Sequence, residues 1–159
     1  MKTCLVCDDH QMLREALIGA VRLGWPDVVV SEAGDFPTAW SLAAAAPDLI
    51  LCDLVMPGAQ PAEGIAGLIA AAPATPILVV TGNEEDRLLR QIYGLGVAGV
   101  LPKTSRTAII ESVIRLVLAG EFYLPARLKD LFLGGATAAS ATGYASRLTP
   151  RQIDVLRRM

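Results

Sequence analysis

The sequence predicts an α/β protein built on a doubly wound, five-stranded parallel sheet. Short, almost wholly apolar runs recur along the chain, and segments with helical periodicity separate them. Continuous apolar runs suit strands covered on both faces, and strict strand–helix alternation winds such strands in parallel. A third observation fixes the polarity: Leu49-Ile50-Leu51-Cys52 runs into Asp53 and the chain then breaks at Pro57-Gly58. That reads as a buried strand delivering a carboxylate to the sheet's carboxyl edge, where ligands of open α/β sheets collect.

The elements follow in order. Residues 3–7 form an apolar strand, followed by Asp8-Asp9-His10 and a helix carrying Met12, Leu13, Leu17, Ile18 and Val21 that ends at Gly24-Trp25-Pro26. Val28-Val29-Val30 is a β-branched strand, and residues 36–46 read as an Ala-rich helix stopped by Pro47. After the strand that ends at Asp53, a helix around residues 65–72 closes at Pro73, and residues 77–81 form the fourth strand. Glu84-Glu85-Asp86 places acids at a helix N-terminus, where they complement the dipole, and Leu88, Leu89 and Ile92 supply its core face. Residues 97–101 form a weaker fifth strand, and a last helix spans residues 107–119 with Ile109, Ile110, Val113 and Leu116 assigned to the core and Arg106 and Arg115 outside.

Composition narrows the function classes. No apolar run reaches the ~18 residues needed to span a bilayer, so a soluble, cytoplasmic protein without a membrane partner is predicted. The three cysteines lie in apolar runs, which predicts reduced core thiols; Cys4 and Cys7 form a CxxC, but on a strand they face opposite sides. Residues 1–120 carry 13 acids against 8 bases, whereas residues 121–159 carry 3 against 6. An acidic body with a basic tail hints at a second module. Between them, Gly134-Gly135-Ala136-Thr137-Ala138-Ala139-Ser140 has linker composition, and Thr149-Pro150-Arg151-Gln152 is a strong helix start.

The chemistry concentrates at the strand ends, which carry Asp8 with Asp9, Asp53, Thr81 and Lys103. Like charges ~4 Å apart repel by roughly 4 kcal/mol at an effective dielectric near 20, so three carboxylates call for a cation. An all-oxygen site suits Mg²⁺, beside which a carboxylate can act as a nucleophile toward phosphorus. Lys103 would pair with a phosphoryl oxygen and the Thr81 hydroxyl with another. His10 reads as a helix-start residue rather than a ligand.

Cys7-Asp8-Asp9-His10, Asp53-Leu54-Val55-Met56-Pro57-Gly58, Thr81-Gly82 and Leu101-Pro102-Lys103 stand in an order and spacing that resemble a two-component response regulator of the LuxR/NarL type. The resemblance implies a flavodoxin-like receiver domain over residues 1–120, a linker with a short helix over 121–146, and the start of a LuxR-type helix-turn-helix domain over 147–159. It implies that Asp53 accepts a phosphoryl group from a histidine kinase and that Asp8, Asp9, Asp53 and the Val55 backbone carbonyl bind Mg²⁺. Thr81 and Lys103 would sense the phosphoryl group, and the chain would act as a signalling phosphoacceptor rather than an enzyme on other molecules. Homodimerisation on phosphorylation is implied, through the last helices and strands or through the first and last helices. The recognition helix is absent from the sequence, so DNA binding would need a C-terminal domain that is missing here.

Val100 departs from the pattern, because the family has Tyr or Phe three residues before the lysine. Switching is therefore expected to rely on Thr81 and the loop at Gly82 and Asn83. Val55 cannot position an attacking water, which predicts a long-lived phosphoryl group. Gly94-Leu95-Gly96-Val97-Ala98-Gly99 matches GxGxxG, but it follows a helix and leads into a strand, the reverse of a dinucleotide fingerprint. An aspartyl phosphatase of the haloacid dehalogenase type would have an acid where Val55 stands. The alternative that remains is an interaction module of the same fold that works without phosphorylation.

Overall fold

The computed structural model describes residues 1–83 and 85–125. Five strands and five helices alternate: β1 (Thr3–Cys7), α1 (Gln11–Gly24), β2 (Val29–Ala33), α2 (Phe36–Ala43), β3 (Leu49–Cys52), α3 (Pro61–Ala71), β4 (Ile77–Thr81), α4 (Asp86–Leu95), β5 (Gly99–Pro102) and α5 (Thr107–Leu118). All strand pairs are parallel, in the order β2-β1-β3-β4-β5. Winding reverses at β1, which has β2 on one side and β3 on the other, and this creates the crevice at the carboxyl edge.

The apolar runs are explained by two cores, one on each face. Leu5, Cys7, Ile50, Cys52, Ile77 and Val79 point to the face covered by α2, α3 and α4. Their strand neighbours Cys4, Val6, Leu49, Leu51, Leu78 and Val80 point to the face covered by α1 and α5. Cys4 and Cys7 thus lie in different cores, and all three cysteines are buried free thiols.

The boundaries differ from the sequence expectation in places with physical causes. β2 is an edge strand whose Ser31 and Glu32 are exposed, so the apolar run stops at Val30, three residues before the strand ends at Ala33. α2 ends at Ala43, not Ala46: a residue before proline avoids helical geometry, and Ala46, ahead of Pro47, turns to a φ of +53°. β5 starts at Gly99, while Val97 packs into the core from the preceding loop. Gly96 caps α4 with a φ of +113°, so the glycine-rich run serves a helix end. On α5, Ile110 and Val113 are buried but Ile109 and Leu116 are 46% and 41% exposed, against their assignment to the core. Period 3.6 puts them together at the edge of the arc formed by the buried Ile110, Val113, Ile114 and Val117, not within it.

Beyond α5, Tyr123 donates its N–H to the Ala98 carbonyl at 2.8 Å and forms an isolated parallel bridge with Gly99. The Tyr93 hydroxyl donates to the Tyr123 carbonyl at 2.6 Å and accepts from the Val100 N–H at 3.0 Å, joining α4, β5 and the departing chain. The rest of the linker, 126–146, and the helical segment at 147–159 lie outside the described residues.

Candidate functional site

Adjacent strand ends assemble the site. The Asp53 N–H donates to the Cys7 carbonyl at 2.9 Å, which aligns the end of β3 with that of β1 and brings Asp53 beside Asp8. Likewise the Lys103 N–H donates to the Thr81 carbonyl at 3.0 Å, so the residue after β5 is carried to the end of β4.

The Lys103 Nζ lies 2.8 Å from Asp53 Oδ2 and 3.2 Å from Asp8 Oδ2. Both carboxylates are buried, and a single ammonium offsets them. Burial works against the Lys103 charge, but the Asp53 hydrogen bond and the two carboxylates more than offset it, so its pKa is raised. Asp8 Oδ1 accepts from the His10 N–H at 2.8 Å, whereas Asp8 Oδ2 faces the ammonium without a hydrogen-bond partner. Asp53 Oδ1 receives only a long contact, 3.4 Å, from the Val55 N–H.

Asp8, Asp9, His10 and Asp53 each offer a ligand atom, and these atoms lie within 4.8 Å of one another. An under-satisfied buried carboxylate beside two further acids is a donor set that fits a hard divalent cation. The Val55 side chain is exposed next to Asp53. Thr81 is buried at the end of β4, where its Oγ1 accepts from the Asn83 N–H at 3.0 Å; Asn83 Oδ1 in turn accepts from the Glu85 N–H at 2.9 Å, just before α4. Asp8, Asp53 and Lys103 are thus in direct contact, Asp9 joins the acid cluster, and Thr81 is tied to Lys103 through the backbone.

Sequence reasoning missed two residues. His10 is not only a helix-start residue: it occupies the N-cap of α1 without a side-chain cap bond, and its Nδ1 lies 3.2 Å from Asp8 Oδ1 and 3.1 Å from Asp9 Oδ1. Arg14 donates from Nη1 to the Asp8 carbonyl at 2.6 Å and from Nε to Glu32 at 3.0 Å, pinning α1 to the ends of β1 and β2. The available signal for Arg14 was its place one helical turn after His10.

Comparison with known proteins adds to this geometry. Residues 4–115 match the response regulator receiver domain family. The chain is similar to the glycerol metabolism activator of Pseudomonas putida, with 31% identity over 100% of this chain and 76% of that one. It is also similar to the nitrate/nitrite response regulator protein NarL of Escherichia coli (strain K12), with 32% identity over 98% of this chain and 73% of that protein. Among solved structures, the signal receiver domain of the putative response regulator NarL from Mycobacterium tuberculosis superposes with a TM-score of 0.68 and 32% identity, over 76% of this chain and 98% of that one.

Proposed function

The chain belongs to the response regulator receiver family, in its NarL/LuxR branch, and on that premise we propose that Asp53 accepts a phosphoryl group from a histidine kinase and thereby switches a DNA-binding output. The observation that carries this reading is the buried Asp53 carboxylate, with Oδ2 held by Lys103 at 2.8 Å and Oδ1 left with only a 3.4 Å contact. Oδ1 is the oxygen available to attack phosphorus; the new bond is Oδ1–P, and the bond broken is the one from phosphorus to the kinase histidine nitrogen. Asp8, Asp9, Asp53 and the Val55 carbonyl would hold Mg²⁺, which supplies charge neutralisation on the transferred group.

The chain's own residues account for sensing. Lys103 stands on Asp53 Oδ2, within reach of an oxygen of the new phosphoryl group. The Thr81 Oγ1 accepts from the Asn83 N–H, so its own proton can be donated to the phosphoryl group. A shift of Thr81 toward phosphate would pull on Asn83 and, through the Glu85 N–H, on the start of α4. Tyr93 then links α4 to the chain that leaves the sheet. The chain catalyses only its own phosphorylation and dephosphorylation. The output domain would begin in residues 147–159, after a receiver over 1–120 and a linker over 121–146. No described helix is long and apolar enough to cross a membrane, which accords with a cytoplasmic signalling protein.

Intact-mass measurement after incubation with Mg²⁺ and acetyl phosphate tests the reading. One phosphoryl adduct on the wild type and none on Asp53→Ala is the expected result. No adduct on the wild type would favour an interaction module that works without phosphorylation.

A further inference from the structure

We propose that His10 is a nitrogen ligand of the cation site formed by Asp8, Asp9 and Asp53, and that it biases the site toward borderline divalent transition ions over Mg²⁺. The inference rests on the cation site of the reading above, but it concerns which ion is held and does not depend on phosphoryl transfer.

Three observations carry it. The His10 Nδ1 lies 3.2 Å from Asp8 Oδ1 and 3.1 Å from Asp9 Oδ1, and the donor atoms of all four residues lie within 4.8 Å of one another. The ring is held there by its backbone: the His10 N–H donates to Asp8 Oδ1 at 2.8 Å in a tight turn that folds the side chain back over the carboxylates. Independently of the ring, the buried Asp8 Oδ2 has no hydrogen-bond partner and only the shared Lys103 ammonium for compensation. A cation among these carboxylates would relieve that deficit.

Ligand chemistry then sets the preference. Mg²⁺ is served by carboxylate, carbonyl and water, and gains little from an imidazole. Co²⁺, Ni²⁺ and Zn²⁺ bind imidazole well; Nδ1 donates to the carboxylates here, and with a cation among them the imidazole would take the Nε2–H tautomer, whose Nδ1 lone pair points to the same place. The side chain is 62% exposed, so ligation by Nδ1 where it stands disturbs no core packing. His10 is the only histidine in the sequence, so any imidazole ligation seen in this protein is ligation by His10.

The test uses Co²⁺ as the probe. Calorimetry gives the Co²⁺ and Mg²⁺ affinities of the wild type, His10→Gln and Asp53→Asn, and proton NMR of the Co²⁺ form looks for contact-shifted imidazole resonances. His10→Gln removes no cap bond and no buried group, so its folding is preserved, which circular dichroism checks. The expected result is an imidazole signal in the wild type, and a fall of about tenfold or more in Co²⁺ affinity in His10→Gln with Mg²⁺ affinity nearly unchanged. A Co²⁺/Mg²⁺ ratio that is the same in wild type and His10→Gln, with no imidazole signal, overturns the inference while leaving the acid site intact. Equal Co²⁺ and Mg²⁺ binding by wild type and Asp53→Asn overturns both the inference and the cation site on which it rests.

Discussion

At the scale of single residues, Lys103 holds the balance of the site. It is the one ammonium against the buried Asp8 and Asp53, so its removal strands two carboxylates rather than one. Lys103→Met is expected to destabilise the fold by about 3 kcal/mol in urea unfolding without divalent ions, and saturating Mg²⁺ should recover part of that loss. Equal loss with and without Mg²⁺ would mean the cost is packing. The acids and the lysine were legible in the sequence because each directly follows an apolar strand, and strand ends of a parallel sheet converge. His10 was not, since only the turn after β1 decides whether a loop imidazole faces solvent or carboxylate. The cysteines were legible too, and burial has a chemical consequence for them. Desolvation pushes the Cys4 thiol up to about 12, and burial likewise raises Cys52 well above the ordinary thiol range. Both should stay protonated and resist iodoacetamide in the native protein at about pH 8, and become labelled when it unfolds. Native-state labelling of either would contradict the buried placement.

At the scale of elements, glycine acts in opposite ways in two helices. A Cβ at Gly64 would collide with the Phe36 ring, and one at Gly67 with the Trp40 indole, whose Nε1 donates to the Gly64 carbonyl at 2.9 Å. α3 therefore packs close to α2 through these two positions, and Gly64→Ala should cost about 2 kcal/mol by forcing the ring aside. In α1, by contrast, Gly19 has open space around it, and Gly19→Ala should stabilise by up to about 1 kcal/mol through helix propensity. Thermal denaturation of both variants checks the pair, and a loss at Gly19 would show that its surroundings are not open. The existence and type of every element among the described residues could be read from periodicity, because both cores demand it. The end of α2 and the length of β2 could not, since neither a proline's effect on its neighbour nor a polar edge strand leaves an apolar signature.

At the scale of the whole molecule, strand order was not written in the sequence, but the two-sided burial that requires a doubly wound sheet was. Asp48 ties that sheet together at its start: its Oδ2 accepts from the Lys2 N–H at 2.7 Å and the Thr3 N–H at 3.1 Å. Those bonds hold its carboxyl below the model-compound value of 3.8. A pKa lowered by folding means that the stability Asp48 supplies is present above 3.8 and is lost as pH falls through the lowered value. Wild type should therefore exceed Asp48→Ala in stability at about pH 7, and the gap should narrow at about pH 3. A gap independent of pH would assign the effect to something other than the charge.

The two sheet faces also differ in how completely their helices are used. α1 and α5 lie side by side over one face, and they leave Met12, Leu23, Ile109 and Leu116 exposed at 83%, 71%, 46% and 41%. Exposed apolar side chains on two neighbouring helices offer surface for association, and of these Leu23, at the end of α1, and Leu116, near the end of α5, lie away from the carboxyl edge that carries Asp53. The homodimerisation on phosphorylation that the family resemblance implies, if it uses this face, leads to a specific expectation. In sedimentation velocity with Mg²⁺ and acetyl phosphate, the wild type should shift from monomer toward dimer, and a Leu23→Glu, Leu116→Glu double variant should remain monomeric. Both proteins should still take up the phosphoryl group, because neither substitution touches the strand ends. A double variant that dimerises as well as the wild type would move the interface away from α1 and α5 and turn attention to the other face the resemblance implies, the last helices and strands, where Tyr93 ties α4 and β5 to the departing chain.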